Sequence, residues 1–249
     1  MLKMSFLKYL SLNREIFIDS IKKINLSIFL IALIDYIFYS LVYFSSAFWF
    51  SKILERYNAV NLDSLSEFAL ESIVAQTQGL YQFLIYSTML LSIALLILSA
   101  LSKAIVWGMT AKTKISVKYI LKFTLAKVIW NSFIIAIIAS GFILFQPQAA
   151  FAFFSAAAIL WIYFSSIICS LLAKNPKISE IKKGIRLGVK KIHCIMIPYA
   201  AIVTGILLIR MLYLAGRTRE LLMVSGILLL FYLAAGRYYI YEMVSKIEK

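Results

Sequence analysis

One carboxylate, Asp35, stands near the middle of a long apolar stretch of the sequence, with about ten mostly apolar residues on each side. Carrying a charged side chain to the centre of a membrane costs about 2.5–3.5 kcal/mol on insertion scales, so Asp35 should face protein or water. Tyr39 and Tyr43 follow it at helical spacing and share its face. This face therefore has groups that could pair with a cation or line a polar path.

The next apolar stretch carries a comparable row of hydroxyl groups, which includes Thr88, Ser92 and Ser99 and runs on to Lys103. Two polar rows on successive helices could line a hydrated path or a substrate cavity. They could equally form hydrogen bonds between helices, since Ser and Thr have that role in membrane proteins. Both interpretations stay open at this stage.

A second isolated charge, Arg210, lies about 17 residues into the fifth apolar stretch and nearer the outer surface. One hypothesis pairs it with Asp35, because each is otherwise an unpaired charge within apolar sequence. In the alternative, the long Arg210 side chain extends outward beside Arg217 and Arg219.

The clearest surface for a ligand is the segment 175–191. An apolar residue recurs at helical spacing along one side (Ile178, Ile181, Ile185, Val189 and Ile192), and basic residues occupy much of the remainder (Lys182, Lys183, Arg186, Lys190 and Lys191). This pattern predicts an amphipathic helix that lies in the headgroup layer and contacts anionic lipid. Asn175 is expected to cap this helix and Pro176 to take its first position.

Enzymatic chemistry has little support in the sequence. His193 is the single histidine, so histidine-based zinc motifs cannot form. The chain contains neither a GxSxG nucleophile elbow nor a phosphate-binding P-loop. We expect a protein that is not an enzyme, with no catalytic, cofactor-binding or metal-binding residues.

The elements that carry these residues are six long apolar stretches, at about 25–50, 80–107, 125–145, 149–173, 193–214 and 221–241. Apolar residues make up 63% of the chain, against roughly 45–50% in a globular domain. Stretches of about 20 apolar residues match helices that cross a hydrocarbon layer about 30 Å thick. The sequence therefore predicts an all-α integral membrane protein with six transmembrane helices and no separate soluble domain.

The basic residues cluster in every second gap between these stretches, before the first, between the second and third, between the fourth and fifth, and after the sixth. Lys and Arg are retained on the cytoplasmic side during insertion. We therefore expect a multi-pass protein of the cell membrane with both termini in the cytoplasm. Because the net charge of +15 lies at the ends of the apolar stretches, it points to lipid headgroups and not to nucleic acid.

Short connections predict three helical hairpins, each preceded by a cytoplasmic interfacial helix. The string Lys-Ile-Ser occurs at 114–116 and again at 177–179. We interpret the chain as one membrane domain, 1–249, with possible repeats at 1–107, 108–173 and 174–249. Between the first two spans, Ser64 and Glu67 have the spacing of a capping box, which predicts a short outer amphipathic helix.

The arrangement of basic amphipathic helix, Lys-Ile-Ser and apolar hairpin over 113–241 resembles uncharacterised prokaryotic multi-pass membrane families, including the membrane domain of some glycerophosphodiester phosphodiesterases. That resemblance implies a helical membrane domain. The six-span plan is also similar to permease subunits of ABC-2-type transporters, but the connection 214–221 is too short for the re-entrant element typical of those subunits.

These observations favour a non-enzymatic, permease-like component or transport accessory, whose energy would come from a partner protein such as an ATPase. A phosphodiesterase is the other partner considered. The alternative is a lipid-interacting membrane scaffold without transport activity.

Overall fold

A computed structural model describes residues 6–23, 26–58, 67–144, 146–215 and 219–248 of the chain. Within these ranges the secondary structure is entirely helical. The helices are α1 (Phe6–Lys23), α2 (Ser27–Asn58), α3 (Glu67–Thr110), α4 (Val117–Leu144), α5 (Pro147–Lys174), α6 (Ser179–Lys190), α7 (Ile192–Ala215) and α8 (Arg219–Glu248).

Six of these helices are long and apolar enough to cross a membrane. They are Ser27–Asn58, Thr77–Thr110, Val117–Gly141, Phe151–Lys174, Ile192–Met211 and Glu220–Glu248. Large apolar side chains on them are exposed, among them Leu90, Ile159 and Leu208, as is expected where lipid covers the surface. The prediction of an all-α, multi-pass membrane protein is confirmed.

The chain divides into two compact units, a smaller unit of residues 36–99 and a larger unit of residues 1–35 and 100–249. Within the smaller unit, the Trp49 indole N–H donates to Ser87 Oγ at 3.0 Å. The guanidinium of Arg56 lies 3.9 Å from the centre of the Phe83 ring. These contacts join the second half of α2 to the first half of α3.

The core of the larger unit is built mainly by α4, α5 and the end of α3. Trp107, Phe123, Trp130 and Ile167 are buried in one apolar cluster, which also includes Ile240 from α8. Helix α8 packs against α1, α5 and α7. On α1 the buried face is Asn13, Ile16 and Ser20, and Tyr239 of α8 donates to Asn13 Oδ1 at 3.2 Å.

The amphipathic segment forms α6, but its start differs from the prediction. The helix begins at Ser179, with Ile178 in the capping position, so Pro176 precedes the helix. Asn175 ends α5 instead, where its backbone N–H donates to the Leu171 carbonyl at 3.0 Å. Its side-chain amide donates to Glu180 Oε1 at 3.1 Å, so Asn175 links α5 to α6 rather than capping α6.

Two other predicted interfacial helices are continuous with membrane-spanning helices. Lys118 and Lys122 lie in the first turns of α4, which begins at Val117. Glu67, expected in a separate outer helix, is the first residue of α3. Ser64, the proposed cap, lies outside the described residues. In both places an uninterrupted helix keeps its backbone hydrogen bonds, and no sequence signal breaks it.

Helix α6 lies against α5 through two glycines. A Cβ atom at Gly184 would meet Ile168 Cγ1 at 2.7 Å, and one at Gly188 would meet Phe164 Cε1 at 2.7 Å. The Tyr163 hydroxyl donates to the Gly188 carbonyl at 2.9 Å. Small residues thus form the side of α6 that contacts the rest of the protein. The predicted apolar stripe is only partly covered, because Ile181 and Ile185 are half-buried and Ile178, Val189 and Ile192 are exposed.

Replacing Gly184 with leucine is expected to displace α6, because the added side chain would collide with Ile168. Overpacking of this kind costs about 1–3 kcal/mol. We expect a lower midpoint of thermal unfolding in detergent and faster tryptic cleavage at the basic residues of α6. Gly226→Leu is the matched control, since no atom lies within 4 Å of a Cβ there. Equal effects of the two substitutions would contradict the close packing of α6.

Candidate functional site: a buried ion cluster in the larger unit

Three helices of the larger unit bring ionisable side chains together. Asp35 Oδ1 of α2 lies 3.7 Å from Lys103 Nζ of α3, and Asp35 Oδ2 forms an ion pair with the guanidinium of Arg237 of α8. The Asp35 side chain is 1% exposed, that of Arg237 is 11% exposed and that of Lys103 is 21% exposed. We call Asp35, Lys103 and Arg237 the ion cluster.

The position of each residue along its helix explains why they meet. Asp35 lies eight residues after the start of α2 and Lys103 seven residues before the end of α3, which is about 10–12 Å of helix in each case. Arg237 lies eleven residues before the end of α8. Each residue is therefore well inside its helix, and the ion cluster is removed from bulk solvent.

Apolar residues close in sequence to the ion cluster are also buried on the same three helices. Ile28, Ile31, Val106, Ala234 and Tyr238 form a buried group, and the hydroxyls of Ser27 and Tyr238 are 3.0 Å apart. A low dielectric strengthens attraction between charges and also makes each unpaired charge costly. Removing one partner from such a group typically destabilises a protein by about 3–5 kcal/mol, because the remaining charge is left buried.

A second buried cation, Lys127 of α4, lies near the ion cluster. Lys127 is only 4% exposed. The ammonium donates to Ser165 Oγ at 2.9 Å, and the Trp130 indole N–H donates to the same oxygen at 2.8 Å. Lys103 lies within electrostatic range of both Arg237 and Lys127. Lys103 of α3 thus interacts electrostatically with a cation of α4 and with a cation of α8.

The cations that pair with the Asp35 carboxylate are not the one that was expected from the sequence. That hypothesis joined Asp35 to Arg210, whereas the cations that the structure places at Asp35 are Arg237 and Lys103. Arg210 is exposed on α7. Helical periodicity identifies the face of Asp35 but not the helix opposite to it, so the pairing required three-dimensional information.

Arg237 and Lys127 are buried cations that the hypotheses drawn from the sequence did not include, although the sequence contains a signal for each. Arg237 is followed by Tyr-Tyr-Ile-Tyr, so apolar sequence continues beyond it. Lys127 is likewise followed by Val-Ile-Trp. Each lies close to an end of its apolar stretch, where basic residues usually flank a span, although each stands within a long helix.

The residues of the predicted polar path lie mostly in the smaller unit, whereas Asp35 belongs to the larger one. Tyr39 is 46% exposed and Tyr43 is 69% exposed. Thr88 is exposed and donates to the Leu84 carbonyl of its own helix. Ser92 is exposed and Ser99 is half-buried. A path along these residues stays a prediction.

One basic residue of α6, Lys183, binds a carboxylate at the end of α8, together with Lys174 at the end of α5. Lys183 donates to Glu248 Oε1 at 2.5 Å, and Lys174 donates to Glu248 Oε2 at 2.6 Å. The hydrogen bond from Glu248 raises the pKa of Lys183 above its ordinary value of 10.5, so on the lysine side this contact persists at neutral pH and is lost only in strongly alkaline solution. Lys182, Arg186 and Lys190 are exposed, and Lys191 is half-buried.

Comparisons with models of protein families, with curated proteins and with solved structures found no match for this chain. The resemblance to the membrane domain of glycerophosphodiester phosphodiesterases therefore receives no support from them. The fold and the composition establish a multi-pass helical membrane protein.

Replacing Asp35 with asparagine is expected to destabilise the larger unit, because Arg237 and Lys103 would then be buried without their carboxylate. A loss of about 3–5 kcal/mol corresponds to a decrease of at least about 5 °C in the midpoint of thermal unfolding in detergent. Arg210→Gln, which removes an exposed charge, should change the midpoint little. A larger effect of Arg210→Gln than of Asp35→Asn would contradict the assignment of the ion cluster.

Proposed function

We propose that this protein is a lipid-interacting membrane scaffold whose helix α6 binds anionic headgroups. The observation that carries the proposal is the orientation of α6. Its glycine face packs against α5, and three cationic side chains, Lys182, Arg186 and Lys190, are exposed on the remaining surface.

The exposed cations of α6 support this proposal because the helix that carries them is held in place. Glu248 fixes Lys183, and Glu180 Oε2 lies 3.8 Å from the same ammonium. No ion pair within the described part of the chain involves Lys182, Arg186 or Lys190. Exposed cations on a fixed helix attract anionic headgroups by about 1 kcal/mol each, and exposed Ile178, Val189 and Ile192 could enter the upper acyl region.

The location that suits this function is the cytoplasmic face of the cell membrane, with both chain termini on that side. An even number of spans places the ends of a chain on one side. Lys246 of α8 lies 3.2 Å from both Glu15 and Asp19 of α1, so the two ends of the larger unit meet. The clustered basic residues supply the orientation.

Neutralising Lys182, Arg186 and Lys190 to glutamine is expected to weaken retention of anionic lipid at least tenfold. Three charges correspond to about 3 kcal/mol before screening. Native mass spectrometry of protein released from nanodiscs of phosphatidylcholine with phosphatidylglycerol would measure the retained phosphatidylglycerol.

The matched control changes Lys114, Lys118 and Lys122 to glutamine. These three lysines are also exposed, on the segment leading into and through the start of α4. The proposal predicts a smaller loss of phosphatidylglycerol in this control than in the α6 variant. Equal losses would mean that α6 has no special role, and unchanged retention in the α6 variant would refute the proposal.

A permease-like component or transport accessory is the second candidate function. The ion cluster favours it, because buried ionisable residues in membrane helices often belong to substrate or ion pathways. Any energy source would be a partner protein, such as an ATPase, and a phosphodiesterase is a further candidate partner. We retain the expectation that the chain itself is not an enzyme.

Solute uptake by proteoliposomes would test this second function, with Lys103→Met compared with Arg210→Gln as the exposed-charge control. Transport requires uptake above that of empty liposomes and a decrease specific to Lys103→Met. Copurification from native membranes, with identification of attached ATPase or phosphodiesterase subunits, addresses the partner. Uptake equal to that of empty liposomes, with no such subunit attached, would reject this candidate.

A further inference from the structure

Positive charge exceeds negative charge among the buried groups near the ion cluster. Lys103, Lys127 and Arg237 carry three positive charges when ionised, and Asp35 carries one negative charge. The nearest buried carboxylate further along α8 is Glu242, five residues and about 7.5 Å of helix beyond Arg237. An imbalance of this kind in a low-dielectric region favours an anion.

Lys127 supplies the most direct indication of a ligand. It is nearly fully buried, and within the described residues it forms no ion pair with a carboxylate. Its described oxygen partner is the neutral hydroxyl of Ser165, and the sulfur of Cys169 is near. A buried ammonium is stable when charged only if an anion or several hydrogen-bond acceptors compensate it.

Ser165 provides an independent second indication. Its oxygen accepts hydrogen bonds from both Lys127 and Trp130, which occupies the two lone pairs of a hydroxyl. The hydroxyl hydrogen is therefore left to be donated to another acceptor, and the described portion of the chain contains no hydrogen bond that Ser165 donates. Ser165 is half-buried, so a ligand can reach it from the surface.

We propose that Lys103, Lys127, Ser165 and Arg237 form a binding site for one phosphate-type oxyanion, which we call the anion site. Ammonium, guanidinium and hydroxyl donors on four helices suit a ligand with several acceptor oxygens, because charge-assisted hydrogen bonds to such oxygens are strong. The phosphate is that of an anionic phospholipid headgroup or free inorganic phosphate.

The depth of the anion site agrees with either source of phosphate. Lys103 lies seven residues before the end of α3, and Ser165 lies nine residues before the end of α5, so both are about 10–14 Å from a helix end. The side chain of Lys103 is 21% exposed, which leaves one edge accessible. This site shares no residue with the exposed cations of α6, and its existence does not depend on the proposed function of that helix.

The test uses the full-length protein and two probes. Inorganic phosphate is titrated into protein in phosphate-free detergent, with calorimetry and the midpoint of thermal unfolding as readouts. Phosphatidylglycerol is supplied in phosphatidylcholine nanodiscs, and native mass spectrometry counts the lipids retained. We expect one bound inorganic phosphate per chain, or a phosphatidylglycerol that the α6 variant still retains, and the probe that binds identifies the source.

Lys127→Met and Lys103→Met are expected to weaken that binding at least tenfold. Lys122→Met, an exposed lysine of the same helix α4 as Lys127, is expected to leave it unchanged. Ser165→Ala keeps every charge and removes one hydroxyl donor, so a severalfold weakening is expected even if a lysine variant fails to fold. The α6 variant with three glutamines should retain the anion at this site.

Two results would overturn the proposal. The first is that inorganic phosphate does not bind the wild-type protein and that the α6 variant retains no phosphatidylglycerol. The second is that binding persists in Ser165→Ala and in whichever of the Lys127→Met and Lys103→Met proteins fold.

Discussion

The attraction between the buried carboxylate of Asp35 and the cations of Arg237 and Lys103 is the interaction on which the larger unit depends. It joins residues 35, 103 and 237 of α2, α3 and α8, and the same three helices also share a cluster of buried apolar side chains. Hydrophobic burial distinguishes poorly between helices in a membrane, because lipid is as apolar as a neighbouring helix. A buried ion pair does distinguish between them, since a wrong neighbour would leave charges without partners.

Ion pairs at the end of α8 also hold α1 and α6, the two described helices that are not among the six candidate membrane spans. Glu248 binds Lys174 and Lys183, and Lys246 contacts Glu15 and Asp19 of α1. These pairs are partly exposed, so each contributes modestly to stability. Their positions nevertheless tie α6 and α1 to the same helix that carries Arg237, which keeps the exposed cations of α6 on a fixed surface.

Local properties of the fold could be predicted from the sequence, because they depend on composition and period. The six apolar helices and the amphipathic helix α6 follow from runs of apolar residues and from a recurrence of about 3.6 residues. Asp35 could be expected to face protein or water, because a carboxylate within an apolar span is costly to expose to lipid. The role of Gly184 could not, because a glycine contributes nothing to an amphipathic pattern, and its importance comes from the approach of Ile168.

The partners of Asp35 could not be predicted because sequence spacing does not say which helices are neighbours. Arg210 is an isolated charge in apolar sequence, whereas Arg237 and Lys127 resemble the basic residues that flank spans. Their burial depends on the packing of α4 and α8 against α5 in the larger unit. The anion site likewise follows from contacts between helices and has no motif of its own.

Charge reversal tests the ion cluster most directly. We would compare the midpoints of thermal unfolding of Asp35→Arg, Arg237→Asp and the double variant, in the same detergent. The account predicts that each single variant loses stability and that the double variant recovers at least half of the summed loss, as expected for residues in direct contact. A double variant that loses as much stability as the two single variants together would contradict the pairing of Asp35 with Arg237.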